Sequence, residues 1–577
     1  MLRTYSFDTF RHDLLAGLSV ATVAVPQAMA YAMIAGLPVQ YGLYTAIVMT
    51  AIGAVLDSSR QLINGPTNAI SIALLSAIGA VQGQDQRIQA AILMAFLIGL
   101  IQVLIALARL GDLTRFISHS VIVGFTAGAS LLLVLDQAKN LLGLRAIGDV
   151  HDHFLVRFAR TLAQGGPVHV PTLAVGLGAV VLVLGLRALK RWRGWTLLPE
   201  LLVVVVVMAA LSQALDLQGM GVKVVGPIPA ALPSFRVPHL ELDLVRELAP
   251  SALAIGLLGL LEAVAMAKAI AAVTRQKLDL NQQCLSEGMA NLGGSFFQCM
   301  PGSGSLTRSA INQQAGGRTQ WSGVVSAFAV AGITLVFAPS AQFIPRSALA
   351  GILILTAGKM IHLGDLRFHL RASRFDLIIV AATAISAFAI SIEFCVLIGV
   401  FLSFMLAVPR IGQMRMTEFV VTPEGGVHER LEADQTCGHV RIYSLEGEMF
   451  FGAAESLTEH LDEIERAAEE GTQVVLLRVK RARRPDAVGM AQLQGFMERM
   501  QERGVHVALT GVRPDFLATL DGSGLRARLA EDQLYLDLPV RKTATARAVE
   551  QLIDKVQEPC PRCPREVRER IRDRVEV

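Results

Sequence analysis

The segment GSGSLTRSAI, residues 302–311, places Arg308 in a part of the chain that is otherwise strongly apolar. Glycines and serines come directly before this arginine, so the backbone leading up to it is predicted to be non-helical. Charged side chains are rare at membrane depth and usually mark functional sites. The chemistry of Arg308 therefore depends on whether this part of the chain lies in a membrane.

The composition divides the chain into a membrane part and a soluble part. Hydrophobic residues make up 53% of the 577 residues, and the mean hydropathy is +0.50, which is too apolar for an ordinary soluble protein. Residues 1–415 carry 29 Lys+Arg and 19 Asp+Glu, a net +10, and residues 416–577 carry 23 and 29, a net −6, which sum to the +4 of the chain. We predict a transmembrane domain over 1–414, a soluble domain over 415–556 and a charged tail over 557–577.

Apolar segments with the character of membrane-spanning helices recur about fourteen times in the first part. They centre on 14–34, 42–56, 66–82, 88–108, 118–136, 172–187, 197–214, 250–272, 283–298, 306–316, 321–338, 347–361, 376–391 and 393–408. Two of these segments, 66–82 and 306–316, begin abruptly after residues that break helices. They are interpreted as half-helices that start inside the membrane.

The charges of the loops predict the orientation. With the N-terminus in the cytoplasm, Lys and Arg concentrate in the loops on the cytoplasmic side, for example 187–193 and 367–374, as the positive-inside rule requires. The loop 33–41 on the other side has no charge. The N-terminus lacks a small-residue cleavage site, so we expect a retained cytoplasmic start. The prediction is a multi-pass protein of the inner (plasma) membrane whose N-terminus and C-terminal domain are cytoplasmic.

A weak internal repeat relates the two halves of the membrane part. QAMAYA (27–32) aligns with EAVAMA (262–267), and GPTNA (65–69) aligns with SLTRS (305–309). Each half would contain seven spans, and an odd number of spans per repeat requires the second repeat to be inverted in the membrane. The fold class predicted is therefore an α-helical membrane protein of two inverted seven-helix repeats, followed by a cytoplasmic α/β domain.

The two half-helices would form an anion site. Pro66 is expected at the first helical position of one, and Ser305 is expected to cap the other. Each helix start carries about +0.5 of a charge, so two starts and the guanidinium of Arg308 give roughly +2. Sites of this kind form between repeats of transporters. The hypothesis requires Arg308 to lie inside the protein, with a cavity beside Thr67.

Glu262 is the second informative residue, because apolar side chains surround it in LLGLLEAVAMA. Two interpretations stay open. Glu262 takes up a proton when an anion occupies Arg308, or it forms a fixed salt bridge with Arg308 that only shapes the site. Gln27 and Tyr31 share one helix face and could offer an amide and a hydroxyl to a ligand, or could simply pack.

Other reactive side chains give no sign of a metal, a cofactor or an enzyme. His119 and His362 lack metal-ligand spacing, and Cys560 and Cys563 form a lone CxxC in the charged tail. The six cysteines indicate no disulfide framework. The sequence shows no nucleophile–base pair, so we predict no enzyme activity.

Four segments resemble the SulP family of sulfate permeases and anion exchangers. They are DLLAGLSVATVAVPQAMAYAMIAGLPVQYGLYTA (13–46), INGPTNAIS (63–71), GSFFQCMPGSGSLTRSAINQQAGGRTQ (294–320) and IPRSALAGILI (344–354). The resemblance implies core and gate domains, an elevator-type movement of the core, and a homodimer. The substrate-binding residues that it implies are Gln27, Tyr31, Thr67, Ser305, Leu306, Thr307 and Arg308, with Glu262 as the proton-coupling residue.

The C-terminal part resembles the STAS domain that closes SulP chains. Apolar strands alternate with amphipathic helices, as in HVRIYSLEGEMFFG, SLTEHLDEIERAAEE, QVVLLRV, MAQLQGFMERMQERG and VHVALTG. The family's phosphorylation loop is replaced by Asp486-Ala487-Val488-Gly489, and Val488 has no hydroxyl to phosphorylate. The basic segment RVKRARR (478–484) is interpreted as a solvated loop, with contact to anionic lipid or a partner as the alternative.

These observations predict a secondary active transporter of a small inorganic anion, with sulfate and protons as the preferred cargo. The alternatives are an anion exchanger, a bicarbonate or dicarboxylate carrier, and a membrane anion sensor that signals through the STAS domain. Nucleobase–proton symporters share the architecture, but they provide no reason for Arg308 or for the STAS domain. The partners expected are the anion, protons, the lipid bilayer and a second copy of the chain, and no nucleic acid.

Overall fold

The structure is a computed structural model in which the chain forms two compact units, residues 1–403 and 404–577. Each unit has a hydrophobic core of its own. The structure describes residues 5–79, 81–111, 118–148, 154–194, 199–361, 363–390, 392–421, 427–432, 434, 438–468, 471–538, 543–553 and 556.

The first unit is helical. The helices that begin in it are α1 (Phe7–Ile34), α2 (Val39–Leu56), α3 (Asn68–Ile78), α4 (Gln84–Leu107), α5 (His119–Leu142), α6 (Phe154–Gln164), α7 (Val170–Arg193), α8 (Glu200–Ala214), α9 (Leu242–Thr274), α10 (Leu280–Ser295), α11 (Leu306–Gln314), α12 (Trp321–Ala341), α13 (Arg346–Met360), α14 (Leu363–Ala372), α15 (Arg374–Ala389) and α16 (Ile392–Ile411). Within the described residues, nine helical segments are long and apolar enough to cross a membrane, and α3 and α8 are shorter apolar helices.

Every predicted span overlaps one of these helices, but the count of fourteen membrane crossings stays a prediction. Two helices, α6 and α14, were not predicted from the sequence. They are short and carry charged residues among their apolar ones. Because α6 lies between the predicted fifth and sixth spans, the predicted eighth and tenth spans are α9 and α11. The predicted third span is α3.

Two extended segments cross in the middle of the helical unit. β1 (Asn64–Gly65) pairs antiparallel with β2 (Ser303–Gly304), with Asn64 opposite Gly304 and Gly65 opposite Ser303. α3 follows β1 and α11 follows β2 within a few residues. Because the two strands are antiparallel, the half-helices leave the crossing in opposite directions, as expected for an inverted pair.

A buried carboxylate fixes the first of these segments in place. Asp57 follows α2 and accepts hydrogen bonds from Gln283 Nε2 and Ser286 Oγ, each 2.6 Å away, and from Asn64 Nδ2 at 3.2 Å. These donors lie on α10 and β1. The three contacts satisfy a carboxylate that burial would otherwise make unfavourable, and they connect α2, β1 and α10.

The second unit contains a six-stranded sheet in the order β4-β3-β5-β6-β7-β8. Its strands are β3 (Arg415–Val421), β4 (Val427–Glu429), β5 (Val440–Glu448), β6 (Val474–Arg483), β7 (His506–Val512) and β8 (Leu534–Leu536), and its helices are α17 (Ala454–Ala468), α18 (Ala487–Glu502), α19 (Pro514–Gly522) and α20 (Ala544–Ile553). Strands β5 to β8 are parallel, and β3 pairs antiparallel with β4 and β5. The predicted strand–helix alternation is therefore confirmed.

One prediction for this unit is wrong. The basic segment 478–484 is not a loop, because β6 continues through Arg483. Two of its five cations form ion pairs: Arg481 pairs with Glu446 at 2.7 Å, and Lys480 pairs with Asp537 at 3.1 Å. The guanidinium of Arg478 lies 4.1 Å from the centre of the Phe419 ring, and burial together with Arg481 lowers the pKa of Arg478.

The start of α18 shows what the altered STAS loop does. Asp486 caps the helix by accepting a hydrogen bond from the Gly489 amide at 2.9 Å, and its other oxygen accepts one from the Phe451 amide at 2.7 Å. Val488 is exposed. The loop is therefore an ordinary helix cap in this chain. The charged tail with Cys560 and Cys563 lies outside the described residues, as does His362.

Candidate substrate-binding site

The site lies where the starts of α3 and α11 meet. Thr67 is the N-cap residue of α3, and Ser305 is the N-cap residue of α11. The Ser305 hydroxyl accepts a hydrogen bond from the Arg308 amide at 3.5 Å, so the predicted cap is confirmed. The predicted position of Pro66 is wrong. Thr67 keeps an extended backbone, and the helix begins at Asn68, so Pro66 precedes the cap and presents its carbonyl to the site.

Arg308 is enclosed by protein, with 0% of its surface exposed. Its Nη2 donates a hydrogen bond to the Pro66 carbonyl at 2.9 Å. Its Nε and Nη1 have no hydrogen-bond partner, and no described carboxylate forms an ion pair with it. A guanidinium is permanently charged and offers five N–H donors. Arg308 therefore holds unused donors beside the two helix starts.

Glu262, on α9, faces the same crossing. Its Oε2 accepts hydrogen bonds from Ser303 Oγ at 2.5 Å and from Thr67 Oγ1 at 3.2 Å. The two hydroxyl oxygens are themselves 3.1 Å apart. Glu262 is thus held by hydroxyl groups from both extended segments. The structure shows no salt bridge between Glu262 and Arg308, so the interpretation that required one is not supported.

A cavity of about 570 Å³ opens beside these groups. Of the predicted site residues, the ones that line it are Tyr31, Thr67, Glu262, Ser305 and Thr307. The required cavity beside Thr67 is therefore present. Lys268, His119 and Asp365 also line it.

Two of the predicted residues, Arg308 and Gln27, are not among the described residues of the cavity wall. Arg308 is fully buried and contacts the carbonyl of Pro66, the residue that follows β1. Gln27 is buried in α1, and its Oε1 has no hydrogen-bond partner. Leu306 is the first residue of α11, and its side chain is not among those described.

Two further groups in this region were not predicted from the sequence. Ser303 makes the shorter of the two contacts with Glu262, and the only signal for it was its place in the quoted segment GSGSLTRSAI. Glu287, on α10, is fully buried, and neither of its carboxylate oxygens has a hydrogen-bond partner. Nothing in the spacing of the sequence indicated that this carboxylate would face the interior.

Metal chemistry has no visible support in the part of the chain that the structure describes. No group of three or more His, Cys, Asp or Glu side chains there could hold a metal ion. His119 lies edge to face against His369, with ring centres 5.3 Å apart, and lines the cavity.

Comparison with known proteins identifies the family. Residues 10–383 match the sequence profile of the sulfate permease family, and residues 431–539 match that of the STAS domain. The chain belongs to the sulfate permease family. This is a family of membrane transporters and not of enzymes, so the predicted resemblance and the predicted absence of enzyme activity are both confirmed.

Curated relatives align with almost the whole length of this chain. YvdB of Bacillus subtilis is 30% identical over 92% of this chain and 97% of its own length. Sulfate transporter 4.1, chloroplastic, of Arabidopsis thaliana is 28% identical over 93% of this chain and 80% of its own length. The two-part arrangement is therefore shared with proteins of distant organisms.

Solved structures confirm the predicted fold class. Murine Slc26a9, an anion transporter solved in an inward-facing state, superposes with a TM-score of 0.83 at 19% identity, covering 95% of this chain and 93% of its own. The transmembrane domain of the cyanobacterial bicarbonate transporter BicA gives a TM-score of 0.60 at 24% identity, covering 69% of this chain and 98% of its own. At these identities the similarity concerns the fold.

Proposed function

We propose that this protein is a secondary active transporter of a small inorganic anion, with sulfate as the preferred substrate and protons as the coupling ion. The single observation that carries the proposal is the buried Arg308, which keeps unpaired N–H donors between two helix starts. Burying a charge without a partner is costly, so an arrangement of this kind is stable when an anion binds.

The geometry favours an oxyanion. A guanidinium recognises sulfate-like groups through paired N–H donors, and hydroxyls and helix amides add further donors. Thr67, Ser305 and Thr307 line the cavity next to Arg308, and Tyr31 adds a phenol. The name of Sulfate transporter 4.1 supports sulfate for a relative of this chain.

Glu262 is proposed as the proton carrier. It lines the cavity, and both of its contacts come from neutral hydroxyls that can donate to a carboxylate or accept from a carboxylic acid. No described cation holds it in the charged form. A proton on Glu262 and an anion beside Arg308 would then cross the membrane together.

We further propose an elevator-type movement in which the helices that bear the site move as one body against the remaining helices. The antiparallel crossing of β1 and β2 supports this, because it ties α3 and α11 into one structural piece. The protein would act as a homodimer in the inner (plasma) membrane, with its N-terminus and STAS domain in the cytoplasm. The distribution of Lys and Arg among the loops supports this orientation.

Uptake of labelled sulfate into proteoliposomes tests the function. We expect accumulation when the outside is made acidic, and none after Arg308→Ala. Arg308→Lys should retain weak transport, because it keeps the charge but loses the planar pair of donors. Arg191→Ala, which removes an exposed arginine at the end of α7, is the matched control and should transport normally.

The outcomes separate the proposals. Sulfate binding without flux would favour the sensor, and accumulation of bicarbonate or a dicarboxylate in place of sulfate would change the substrate. Full affinity in Arg308→Ala would show that the site lies elsewhere. Glu262→Gln should still exchange sulfate for sulfate but should lose the stimulation by external acid; if the stimulation survives, Glu262 is not the proton carrier.

A further inference from the structure

A second cavity, of about 610 Å³, lies at the opposite end of the helices that build the substrate site. The start of α3 lines the first cavity through Thr67 to Ala69, and its end lines the second through Leu75 and Gly79. Along α5, Ala127 belongs to the first cavity and Leu135 to the second. Eight residues of helix span roughly 12 Å. The two cavities therefore lie one after the other along α3 and α5.

An apolar layer separates the two cavities. One buried cluster contains Tyr31, Ile34, Leu133 and Leu353. Tyr31 lines the first cavity, and Ile34, three residues later on α1, lines the second. An ion that reached the second cavity would therefore meet an apolar barrier before it reached Thr67, and would have to wait there until the barrier moved.

The second cavity is basic. Among its described lining residues, four are cations and one is a carboxylate, and they are Arg87, Lys139, Arg157, Arg346 and Asp136. Asp136 forms an ion pair with Lys139, in which Lys139 Nζ lies 2.6 Å from Asp136 Oδ1. Arg87 and Arg346 donate to backbone carbonyl groups, at 2.7 Å to Val81 and 3.0 Å to Val224, which leaves their positive charge uncompensated.

Arg157, on α6, differs from the other cations of this cavity. No hydrogen bond or ion pair of its guanidinium is found among the residues that the structure describes. Its aliphatic stem packs against Gly148, where a β-carbon would lie 2.8 Å from Arg157 Cγ. The neighbouring Ile147 is fixed by Thr161 Oγ1, which contacts its amide at 3.1 Å and its carbonyl at 3.2 Å. The segment with Ile147 and Gly148, together with α6, thus holds Arg157 at the cavity wall.

We propose that this cavity is a second binding site, in which Arg157, with Arg87 and Arg346, holds a small oxyanion such as sulfate before it passes to the site beside Arg308. The proposal rests on the proposed function, because the same anion would use both sites. A cavity lined by charges of one sign raises the local concentration of counter-ions and the rate of their association, and the effect falls with ionic strength.

Sulfate influx measured from each side of the membrane tests this site. Intact cells and everted vesicles present opposite faces of the same protein. For Arg157→Gln we expect the half-saturating sulfate concentration to rise about threefold or more in one preparation only, with the maximal rate unchanged. High potassium gluconate should reduce the difference from wild type. Arg157→Lys should behave like wild type. Lys223→Gln, which removes an exposed charge outside the cavity, should have no effect.

Binding to the purified protein separates failure of this proposal from failure of the proposed function. Isothermal titration of Arg308→Ala with sodium sulfate should show a remaining weak site, which disappears in Arg308→Ala/Arg157→Gln. An unchanged half-saturation of Arg157→Gln from both sides, or no difference between the two Arg308→Ala proteins, overturns the second site alone. If wild-type protein binds sulfate but never accumulates it, the transport function fails and the titration still decides the second site.

Discussion

At the scale of single residues, the site depends on two ionisable groups, the buried Arg308 and the half-buried Glu262, which do not pair with each other. Arg308 contacts a backbone carbonyl and retains free donors, whereas Glu262 contacts two hydroxyls. A direct ion pair would neutralise both and leave little attraction for an anion. Keeping them apart leaves the guanidinium available to an anion and the carboxylate available to a proton.

Glu287 provides a residue-scale prediction about stability. Both of its oxygens are buried without a partner, and an unsatisfied buried polar group costs about 1–3 kcal/mol. Glu287→Met keeps a similar volume and removes the polar atoms. We expect it to raise the apparent Tm in detergent by about 2 °C, measured by size-exclusion chromatography after heating.

The neighbouring Ser286 is the matched control for Glu287. Its hydroxyl donates to Asp57 at 2.6 Å, so Ser286→Ala should lower the apparent Tm by removing a used hydrogen bond. A lower Tm in Glu287→Met would mean that the attraction between its carboxylate and the guanidinium of Arg308 outweighs the cost of burying it.

Some residues of the site could be predicted from the sequence and others could not. Ser305 and Arg308 lie at a helix start that the sequence makes recognisable, because the hydrogen bonding of a helix end depends on a few neighbouring residues. The position of Pro66 was wrong by two residues, because Thr67 instead takes the cap position. The contact between Ser303 and Glu262 joins residues 41 positions apart, and such contacts depend on packing that local sequence does not encode.

At the scale of elements, the crossing of β1 and β2 requires a glycine. Gly65 has a φ of +145°, which side chains disfavour, and a β-carbon there would lie 3.0 Å from Arg308 Nη1. The guanidinium therefore occupies the space that a side chain at position 65 would need. The geometry of the strand fixes the position of the cation.

Gly65→Ala should consequently weaken sulfate binding. The added methyl group would strain β1 and displace Arg308, so we expect the half-saturating concentration in proteoliposome uptake to rise about tenfold or more. Gly332→Ala, in α12 where a β-carbon meets open space, is the matched control and should transport normally. Wild-type uptake by Gly65→Ala would show that the contact between β1 and Arg308 does not position the cation.

The predicted elements differ from the observed ones in a way that has a physical cause. Long apolar segments were recognised because the bilayer demands about 20 apolar residues per helix, and every one of them overlaps a helix. The amphipathic α6 and α14 were missed, since their composition resembles that of a loop. The basic end of β6 also has the composition of a loop. It forms a strand because its pairing with β5 satisfies the backbone and because Glu446 neutralises Arg481.

At the scale of the whole molecule, each of the two units has the components of an independent fold. The helical unit has a core built around residues such as Ala28, Val204 and Leu349. The STAS unit covers one face of its sheet with α17, α18 and α19 around Leu477, and has a second cluster that includes Ala548 of α20. A unit that buries its own core can unfold as a cooperative unit of its own.

Calorimetry of the detergent-solubilised full chain should therefore show two thermal transitions. Leu477→Ala removes a fully buried side chain from the STAS core, and Leu349→Ala does the same in the helical unit. A large-to-small change of this kind costs about 2–5 kcal/mol, so each variant should lower one transition by several degrees and leave the other in place. Because Leu349 and Leu477 are replaced by the same residue, each variant is the control for the other. A single transition that shifts equally in both variants would mean that the two cores unfold together, and the STAS unit would then be an integral part of the transporter fold.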